Sequence, residues 1–243
     1  MRKIGIIGAM EAEVALLKKL AKQNGRIKEK VSGGLIFVEG KINGVPVVIV
    51  KSGVGKVNAA LCAQRLIMQF NVTHVINTGI AGAIKSGLKV FDFVVSSDAV
   101  YHDMDATQWG YKPMEIPQMN RIAFPADEAL IQAAMAAFTD ADNEDFFTGH
   151  RVITGRIASG DQFIANEDVK KRIVEICDPA CVEMEGAAIA QVCYLCKVPF
   201  LVVRSISDSP YEKDNHLTFE EFLKISSSMA AKFIIQFLSK IKK

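Results

Sequence analysis

Two segments in the C-terminal third of the chain are apolar runs that end in carboxylates. They are Val182–Gly186, which holds two glutamates, and Arg204–Asp208. The pattern predicts one strand that ends at Met184 before a helix, and a buried strand, Pro199–Ile206, that ends just before Asp208. Ligands of open α/β sheets bind at the carboxyl ends of the strands, where unpaired carboxylates are poorly solvated. The two segments therefore predict a crevice for acid/base or sugar-hydroxyl chemistry.

A further candidate acid lies near the N-terminus. Ile4–Ile7 is predicted to be a strand and Glu11–Gln23 a helix, so Glu11 and Glu13 stand in a first helical turn at the carboxyl edge of the sheet. Acids at this position are often only partners of the helix dipole, so the pattern leaves Glu13 open between that role and catalysis. Gly5–Met10 lacks the G-x-G-x-x-G spacing of a dinucleotide-binding turn.

Small residues follow three other predicted strands. Gly53–Lys56 lacks the first glycine and the hydroxyl residue of a Walker loop, and it predicts a strand-to-helix turn that lets the backbone approach a ligand. Thr78–Gly82 predicts a loop with room for a flat ligand, although an ordinary tight loop explains it as well. Ser159–Ile164 offers an aromatic ring and free backbone groups. His102 and Asp103 could form a base and its orienting carboxylate, but a satisfied loop histidine is the commoner case.

The cysteines invite a zinc interpretation, which we reject. Cys193 and Cys196 are spaced as C-x-x-C, but both lie in the predicted helix Gly186–Cys196 and lack the tight turn of a zinc knuckle. Buried, reduced thiols that pack as small hydrophobic groups are expected instead, and no metal site is predicted. The full set of cysteines is Cys62, Cys177, Cys181, Cys193 and Cys196.

Composition excludes several classes of protein. The 243 residues carry 29 basic and 27 acidic side chains, a net charge of +2, without a basic stripe for nucleic acid or an anionic membrane. No apolar run approaches the roughly 20 residues of a membrane-spanning helix. Glu11 and Glu13 interrupt the N-terminal apolar run too early for a signal peptide. A cytoplasmic protein that binds neither nucleic acid nor membrane is expected.

Predicted strands alternate with predicted helices along the whole chain. This alternation, without a linker or repeat, predicts one α/β domain over residues 1–243 with a mostly parallel, buried sheet. Tyr101–Arg121 is predicted to be a long loop, and such loops tend to be functional. The other predicted strands are Leu35–Val38, Val45–Val50, Thr73–Asn77, Phe91–Ser96 and Arg151–Ser159. The other predicted helices are Val57–Phe70, Pro125–Phe138, Asp168–Ile176 and a last one capped by Thr218.

Taken together, these segments resemble the 5′-methylthioadenosine/S-adenosylhomocysteine nucleosidases of the nucleoside phosphorylase superfamily. The matching pieces are Ile4–Glu13, Lys51–Val57, Asn77–Gly82, Ser159–Ile164, Val182–Glu185, Arg204–Asp208 and His216–Phe219. The resemblance implies a single-domain three-layer α/β/α sandwich with a mixed, mostly parallel central sheet, and a homodimer. It also implies hydrolysis of the N-glycosidic bond of methylthioadenosine and S-adenosylhomocysteine, releasing adenine, without metal or organic cofactor.

The resemblance assigns roles to individual residues. Asp208 would be the general acid at the purine, Glu13 would hold and activate the attacking water, and Glu185 would bind the ribose hydroxyls. Arg204 would orient the carboxylates. The other implied substrate-binding residues are Ala9, Met10, Val54, Ile80, Ala81, Gly82, Phe163, Ile164, Glu183, Met184, Ser207 and Phe219. Residues of the long loop would reach the pocket of a partner subunit, and these are Trp109, Tyr111 and Pro117.

Two positions depart from the family pattern. Ile80 replaces a serine that commonly lies near the nucleophilic water, and Trp109 replaces a phenylalanine. A nucleoside phosphorylase is the nearest alternative, but phosphate needs cationic partners and the acidic first turn would repel it. An aminodeoxyfutalosine nucleosidase remains open, since some family members accept both substrates. Glu13, Glu185 and Asp208 together argue against a non-catalytic nucleoside-binding protein.

Overall fold

The computed structural model describes residues 2–139, 147–208 and 219–241, and of Asp208 and Phe219 it describes the backbone. The strands are β1 (Ile4–Gly8), β2 (Lys28–Ser32), β3 (Leu35–Ile42), β4 (Val45–Lys51), β5 (His74–Ala83), β6 (Phe93–Tyr101), β7 (Ala123–Pro125), β8 (Val152–Ser159), β9 (Cys181–Glu183) and β10 (Phe200–Asp208). The helices are α1 (Glu11–Gln23), α2 (Lys56–Phe70), α3 (Glu128–Thr139), α4 (Glu167–Cys177), α5 (Gly186–Cys196) and α6 (Phe219–Lys240). The predicted cap Thr218 lies outside the described residues, as do His216 and Leu217.

The strands form one mixed sheet, part of which closes on itself. β1 pairs in parallel with β4 and β5, and β5 also pairs in parallel with β10. From β10 the sheet continues through β6, β8 and β9, and β9 pairs back onto β5. β3 and β2 extend the open edge beyond β4, and β7 lies beside β6. The longest ladders, β5–β10 and β6–β8, are parallel, so the predicted α/β class with a mixed sheet is confirmed.

Helices cover the sheet on two sides, which gives the three predicted layers. α2 and α5 pack against each other, and their buried faces share one core with Phe37, Val48 and Ile206. α1 and α3 pack against α6 on the other side, around a core that includes Phe93 and Phe233. Burying a large apolar side chain of this kind contributes about 1.5–3 kcal/mol. The extent of the domain over residues 1–243 stays a prediction.

One predicted loop is wrong. Thr78–Gly82 is not a loop after a short strand, because β5 continues through it to Ala83. The segment is a strand because β10 pairs with it as far as Gly82, and β9 pairs with Gly82 and Ala83, the last two residues of β5. Two short strands were also absent from the prediction. β2 is polar and mostly exposed, and β7 has three residues, so neither shows an apolar alternation.

The topology brings the predicted site residues to one place. β1, β4, β5 and β10 run in the same direction, so their carboxyl ends lie at one edge of the sheet. β9 runs against β5 and pairs at Gly82, which carries Glu183 and the residues after it alongside the same part of β5. Five of the segments that resemble the nucleosidase family therefore converge although they are far apart in the chain, and these are Ile4–Glu13, Lys51–Val57, Asn77–Gly82, Val182–Glu185 and Arg204–Asp208.

The long connection after β6 is irregular, as predicted, apart from a 3-10 helix at Thr107–Trp109 and a bridge between Ile116 and Arg121. Across the described ranges, no helix is both long and apolar enough to cross a membrane.

Candidate active site

A cavity of about 220 Å³ lies at the point where these segments meet. It is lined by thirteen of the predicted site residues, namely Ala9, Met10, Glu13, Val54, Ile80, Ala81, Gly82, Phe163, Ile164, Glu183, Met184, Glu185 and Ser207. Gln162 and Val182 also line it and were not predicted as site residues, although both lie inside the quoted motifs. The structure thus brings together side chains from both ends of the chain around one cavity.

Glu13 is buried, and backbone amides hold both of its carboxylate oxygens. Oε2 accepts hydrogen bonds from the N–H groups of Ala9 at 2.6 Å and Met10 at 2.9 Å. Oε1 accepts one from Ile80 at 3.2 Å, so the main chain of this residue contributes where its alkyl side chain cannot. Burial raises the pKa of Glu13, and the charge of Arg204 and the three amides oppose this rise. A carboxylate with a raised pKa is a stronger base than an exposed one.

Arg204 lies beneath the cavity and is 1% exposed. Its Nη2 contacts the Glu183 carboxylate, lies 2.5 Å from Asn77 Oδ1, and is 3.7 Å from Glu185 Oε2. Gly79 makes room for this arrangement, because a Cβ there would overlap the guanidinium and Oε1 of Glu13. A buried charge is tolerated only when it is paired, and Arg204 compensates the surrounding acids.

Glu183 uses its oxygens inside the protein. It accepts hydrogen bonds from Ser159 Oγ, from the Glu185 N–H at 3.0 Å and from the Gly186 N–H at 2.8 Å. These amides begin α5, where the helix dipole favours a negative charge. Glu183 therefore joins Arg204 to the start of α5 and fixes the direction of the chain at Glu185.

Glu185 reaches the cavity from the beginning of α5. Its Oε1 accepts a hydrogen bond of 2.8 Å from the N–H of Gly55, in the turn before α2. Burial and the charge of Glu183 raise its pKa to about 7, although Arg204 and the Gly55 amide act in the opposite direction. Glu185 is thus held between two loops with its other oxygen near the guanidinium.

The raised pKa of Glu185 predicts a pH dependence of stability. Between pH about 4.5 and about 7, the folded protein holds a proton on Glu185 that the unfolded chain has lost. The stabilisation is therefore complete below pH about 4.5 and is lost as the pH rises through about 7. We expect the free energy of unfolding, measured with urea at pH 5 and pH 8, to fall more in the wild type than in Glu185→Gln. Equal pH dependence of the two proteins would contradict the assignment.

Two of the predicted residues, Asp208 and Phe219, are described by their backbone alone. The backbone of Asp208 ends β10 and pairs with Gly82, which lines the cavity, while its side chain lies outside the described part. The Phe219 backbone begins α6. Ser207 Oγ is 3.4 Å from the Ala81 carbonyl oxygen. Phe163 is 75% exposed at the cavity, so one face of its ring is open to a ligand or a partner.

Three predicted residues of the long loop are not among those that line the described cavity. Trp109 is 78% exposed, and Tyr111 and Pro117 are half-buried. Their predicted contact with a partner subunit therefore stays a prediction.

His102 and Asp103 do not form a base and its orienting carboxylate. Asp103 accepts from Lys56 Nζ at 2.7 Å, and the His102 ring packs against Gly160. Burial lowers the pKa of His102. The structure thus supports a packed loop histidine.

All five cysteines are free thiols, and all but Cys196 are buried. Within the described residues, no group of three or more histidine, cysteine or acidic side chains could hold a metal ion.

Comparisons with known proteins agree with this geometry. The family model described as "Phosphorylase superfamily" matches residues 3–239, so the chain belongs to that superfamily. A relative from Colwellia psychrerythraea, a 5′-methylthioadenosine/S-adenosylhomocysteine nucleosidase, is 42% identical over 241 residues, 99% of this chain and 97% of the relative. Within the superfamily, the chain therefore belongs to the 5′-methylthioadenosine/S-adenosylhomocysteine nucleosidase family.

Solved structures extend the comparison. The Colwellia psychrerythraea nucleosidase in complex with adenine is 40% identical with a TM-score of 0.88, covering 99% of this chain and 96% of that one. The Neisseria meningitidis nucleosidase in complex with methylthio-immucillin-A is 34% identical with a TM-score of 0.87, covering 99% and 100%. A futalosine hydrolase of Helicobacter pylori is 31% identical with a TM-score of 0.87, covering 99% and 98%.

Proposed function

We propose that this protein hydrolyses the N-glycosidic bond of 5′-methylthioadenosine and S-adenosylhomocysteine and releases adenine. One observation carries the choice of hydrolysis over phosphorolysis. The charged residues that line the described cavity are all acids, namely Glu13, Glu183 and Glu185. Arg204, the neighbouring cation, is buried and occupied by carboxylates. A phosphate dianion would meet negative charge there, whereas a neutral water molecule would meet hydrogen-bond acceptors.

The reaction separates charge, and the site suits that separation. Positive charge develops on the ribose as the bond to the base breaks, and negative charge develops on the departing purine. The carboxylates of Glu13 and Glu185 stabilise a cationic sugar, because electrostatic interactions are strong in a site that excludes water. Glu185 is proposed to bind the ribose hydroxyls, because its carboxylate lines the cavity while the Gly55 N–H and Arg204 hold it in position.

Glu13 is proposed to hold the attacking water. Three amides fix its carboxylate, so the remaining lone pairs have a defined direction before substrate arrives. This preorganisation avoids reorienting the base during the reaction. As water attacks the anomeric carbon, Glu13 accepts its proton, which its raised pKa favours.

Asp208 is proposed to protonate the leaving adenine, and Phe163 to stack on the purine ring. β10 carries Asp208 to the cavity edge beside Gly82. Adenine leaves poorly as an anion, so a proton delivered to the base lowers the barrier. Ile164 follows Phe163 and lines the same cavity, where its backbone can meet the purine edge. No metal or organic cofactor takes part in this scheme.

The test is release of adenine from methylthioadenosine, S-adenosylhomocysteine and aminodeoxyfutalosine in phosphate-free buffer. We expect adenine from the first two substrates without phosphate. Release only from aminodeoxyfutalosine would instead support the alternative function, an aminodeoxyfutalosine nucleosidase. No release from any of the three would overturn the proposal.

A homodimer is proposed as well, supported by an apolar surface. Val57, Leu61 and Met68 project from one side of α2, and they are 79%, 45% and 66% exposed. The opposite side of α2 is buried in the core. Val54, which lines the cavity, precedes this helix, so a second copy seated here would lie close to the site. Trp109 of the long loop is a suitable anchor, because exposed aromatic residues dominate many interfaces.

The dimer gives a direct prediction for Leu61→Glu. Burying a charge in an apolar interface without a partner is unfavourable, so this variant should sediment as a monomer with reduced activity. Val174→Glu is the matched control, since Val174 is 40% exposed on α4, and it should remain a dimer. A wild-type protein that sediments as a fully active monomer would refute the dimer.

We also propose that the protein is cytoplasmic. Five free thiols support a reducing compartment.

A further inference from the structure

Three charged side chains lie just outside the cavity and connect the loops that form it. Lys56 Nζ is 2.7 Å from Asp103 Oδ2 and 3.7 Å from Asp161 Oδ2. The ammonium group also lies over the Tyr101 ring, 5.5 Å from its centroid. The Lys56 cluster consists of Lys56, Asp103 and Asp161. None of the three is among the residues that line the active-site cavity in the described structure.

The cluster also bonds to the main chain. The Lys56 N–H donates to Asp161 Oδ1 at 2.8 Å, and the Asp161 N–H donates to Asp103 Oδ2 at 3.0 Å. Gly55 caps α2 without a side chain, so Asp161 supplies the missing cap from another loop. The cluster therefore joins the turn after β4, the loop after β6 and the loop after β8.

Two of these loops contribute to the cavity, one through a bond to Glu185 and the other through lining residues. The N–H of Gly55, directly before Lys56, donates to Glu185 Oε1. Gln162, Phe163 and Ile164 directly follow Asp161, and all three line the cavity. The position of the ribose-binding carboxylate and that of the purine-binding segment thus depend on the same cluster.

Packing strengthens the connection on the β8 side. A Cβ at Gly160 would overlap the His102 ring, so the loop approaches this ring as closely as glycine permits. The His102 N–H donates to the Ser159 carbonyl oxygen at 3.0 Å. Neighbouring residues of the two loops, 102–103 and 159–161, are therefore in contact along their length.

A surface ion pair alone typically contributes about 0–1 kcal/mol to stability. The Lys56 cluster differs because its partners include two backbone amides of segments that form the site. Such an arrangement fixes the relative positions of these segments, and a misplacement of about 1 Å in an active site can cost about 10²-fold in rate.

We propose that Lys56, Asp103 and Asp161 are positioning residues that set Glu185 for the ribose and Gln162–Ile164 for the purine. The inference rests on the proposed nucleosidase function. Removing the Lys56 charge leaves the main-chain bond to Asp161 in place but brings Asp103 and Asp161 together without their cation. The loops after β6 and β8 are then held less firmly against the start of α2, so both halves of the nucleoside are held less well. The loss should appear in ligand binding and in KM, with a smaller change in kcat.

The test compares Lys56→Met with Lys3→Met. Lys3 forms an ion pair with Glu39 at the same distance, 2.7 Å, and with similar exposure, but away from the cavity. We expect the calorimetric Kd for adenine and the KM for methylthioadenosine to rise about tenfold in Lys56→Met, a part of the loss that misplacement can cause. In Lys3→Met the Kd and the KM should both stay within about twofold of the wild type. The change in melting temperature should be similar in the two variants.

Asp103→Asn provides a second variant, because its amide oxygen can still accept from the Asp161 N–H while the charge is lost. The double variant with Lys56→Met should be no worse than Lys56→Met alone, as for residues that act as a unit. Unchanged adenine Kd in folded Lys56→Met and Asp103→Asn, or fully additive effects, would overturn the proposal. Adenine binding is measured as a ratio to the wild type, so it judges the cluster even if the wild type fails to hydrolyse methylthioadenosine.

Discussion

Glu13→Gln is expected to lower single-turnover hydrolysis about 10²–10⁴-fold, the usual range for loss of a general base. A glutamine side chain has one oxygen, which would accept from the Ala9 and Met10 amides as Oε2 does in the wild type. Its NH₂ group would then face the Ile80 N–H and the water, and an amide cannot accept a proton from water. Binding of adenine, measured by calorimetry, should change little, because the proposed role of Glu13 concerns the water and the sugar.

Ile80→Ser is the matched variant for this prediction. The hydrogen bond from residue 80 to Glu13 comes from the main chain, so a change of side chain leaves it in place. A serine hydroxyl can also contact the water, so the activity of Ile80→Ser should not fall. Normal hydrolysis by Glu13→Gln would mean that the water is held elsewhere.

Asp208→Asn is expected to reduce turnover by a similar factor, about 10²–10⁴-fold, since general acid catalysis typically contributes that much. The amide cannot deliver the proton that makes adenine a leaving group. The fold should persist, because β10 is held by its ladders with β5 and β6.

Methylthioadenosine turnover and thermal unfolding of the Asp208→Asn variant distinguish a loss of catalysis from a loss of the fold. A folded protein with near wild-type turnover would remove Asp208 from the role of acid. Substrates with a leaving group that needs no proton, such as a nitrophenyl riboside, should be much less affected by the substitution.

The sequence predicted convergence at one edge of the sheet for residues of a recognisable type at a strand end. Glu13, Glu185 and Met184 belong to short motifs, and the α/β alternation places these motifs at one edge of the sheet. The structure brings them to one cavity. Their catalytic and binding roles come from the resemblance and await the variants above.

Contacts that depend on distant pairing could not be predicted. Thr78–Gly82 looks like a loop because its residues are small, whereas β10 and β9 pair with it and make it a strand. Small residues are needed there because Arg204 and Glu13 pack over Gly79. The closure of part of the sheet through β9 was not predictable for the same reason, since nothing local in Cys181–Glu183 indicates that it pairs with the end of β5.

Main-chain donors were equally invisible in the sequence. The amides of Gly55 and Ile80 bind Glu185 and Glu13, and because every residue type except proline has an N–H group, residue type does not reveal these donors. Arg204 also donates to the side chain of Asn77, which comes from another strand. These groups fix the carboxylates, and only the three-dimensional structure identifies them.

Phosphorus NMR of the reaction in phosphate buffer distinguishes water from phosphate as the nucleophile. Methylthioadenosine is converted to completion, and adenine is measured in the same sample. The acidic cavity predicts stoichiometric adenine with inorganic phosphate as the only phosphorus signal. A sugar 1-phosphate signal that grows in step with adenine would contradict the account, because phosphate would then have entered a site lined by carboxylates.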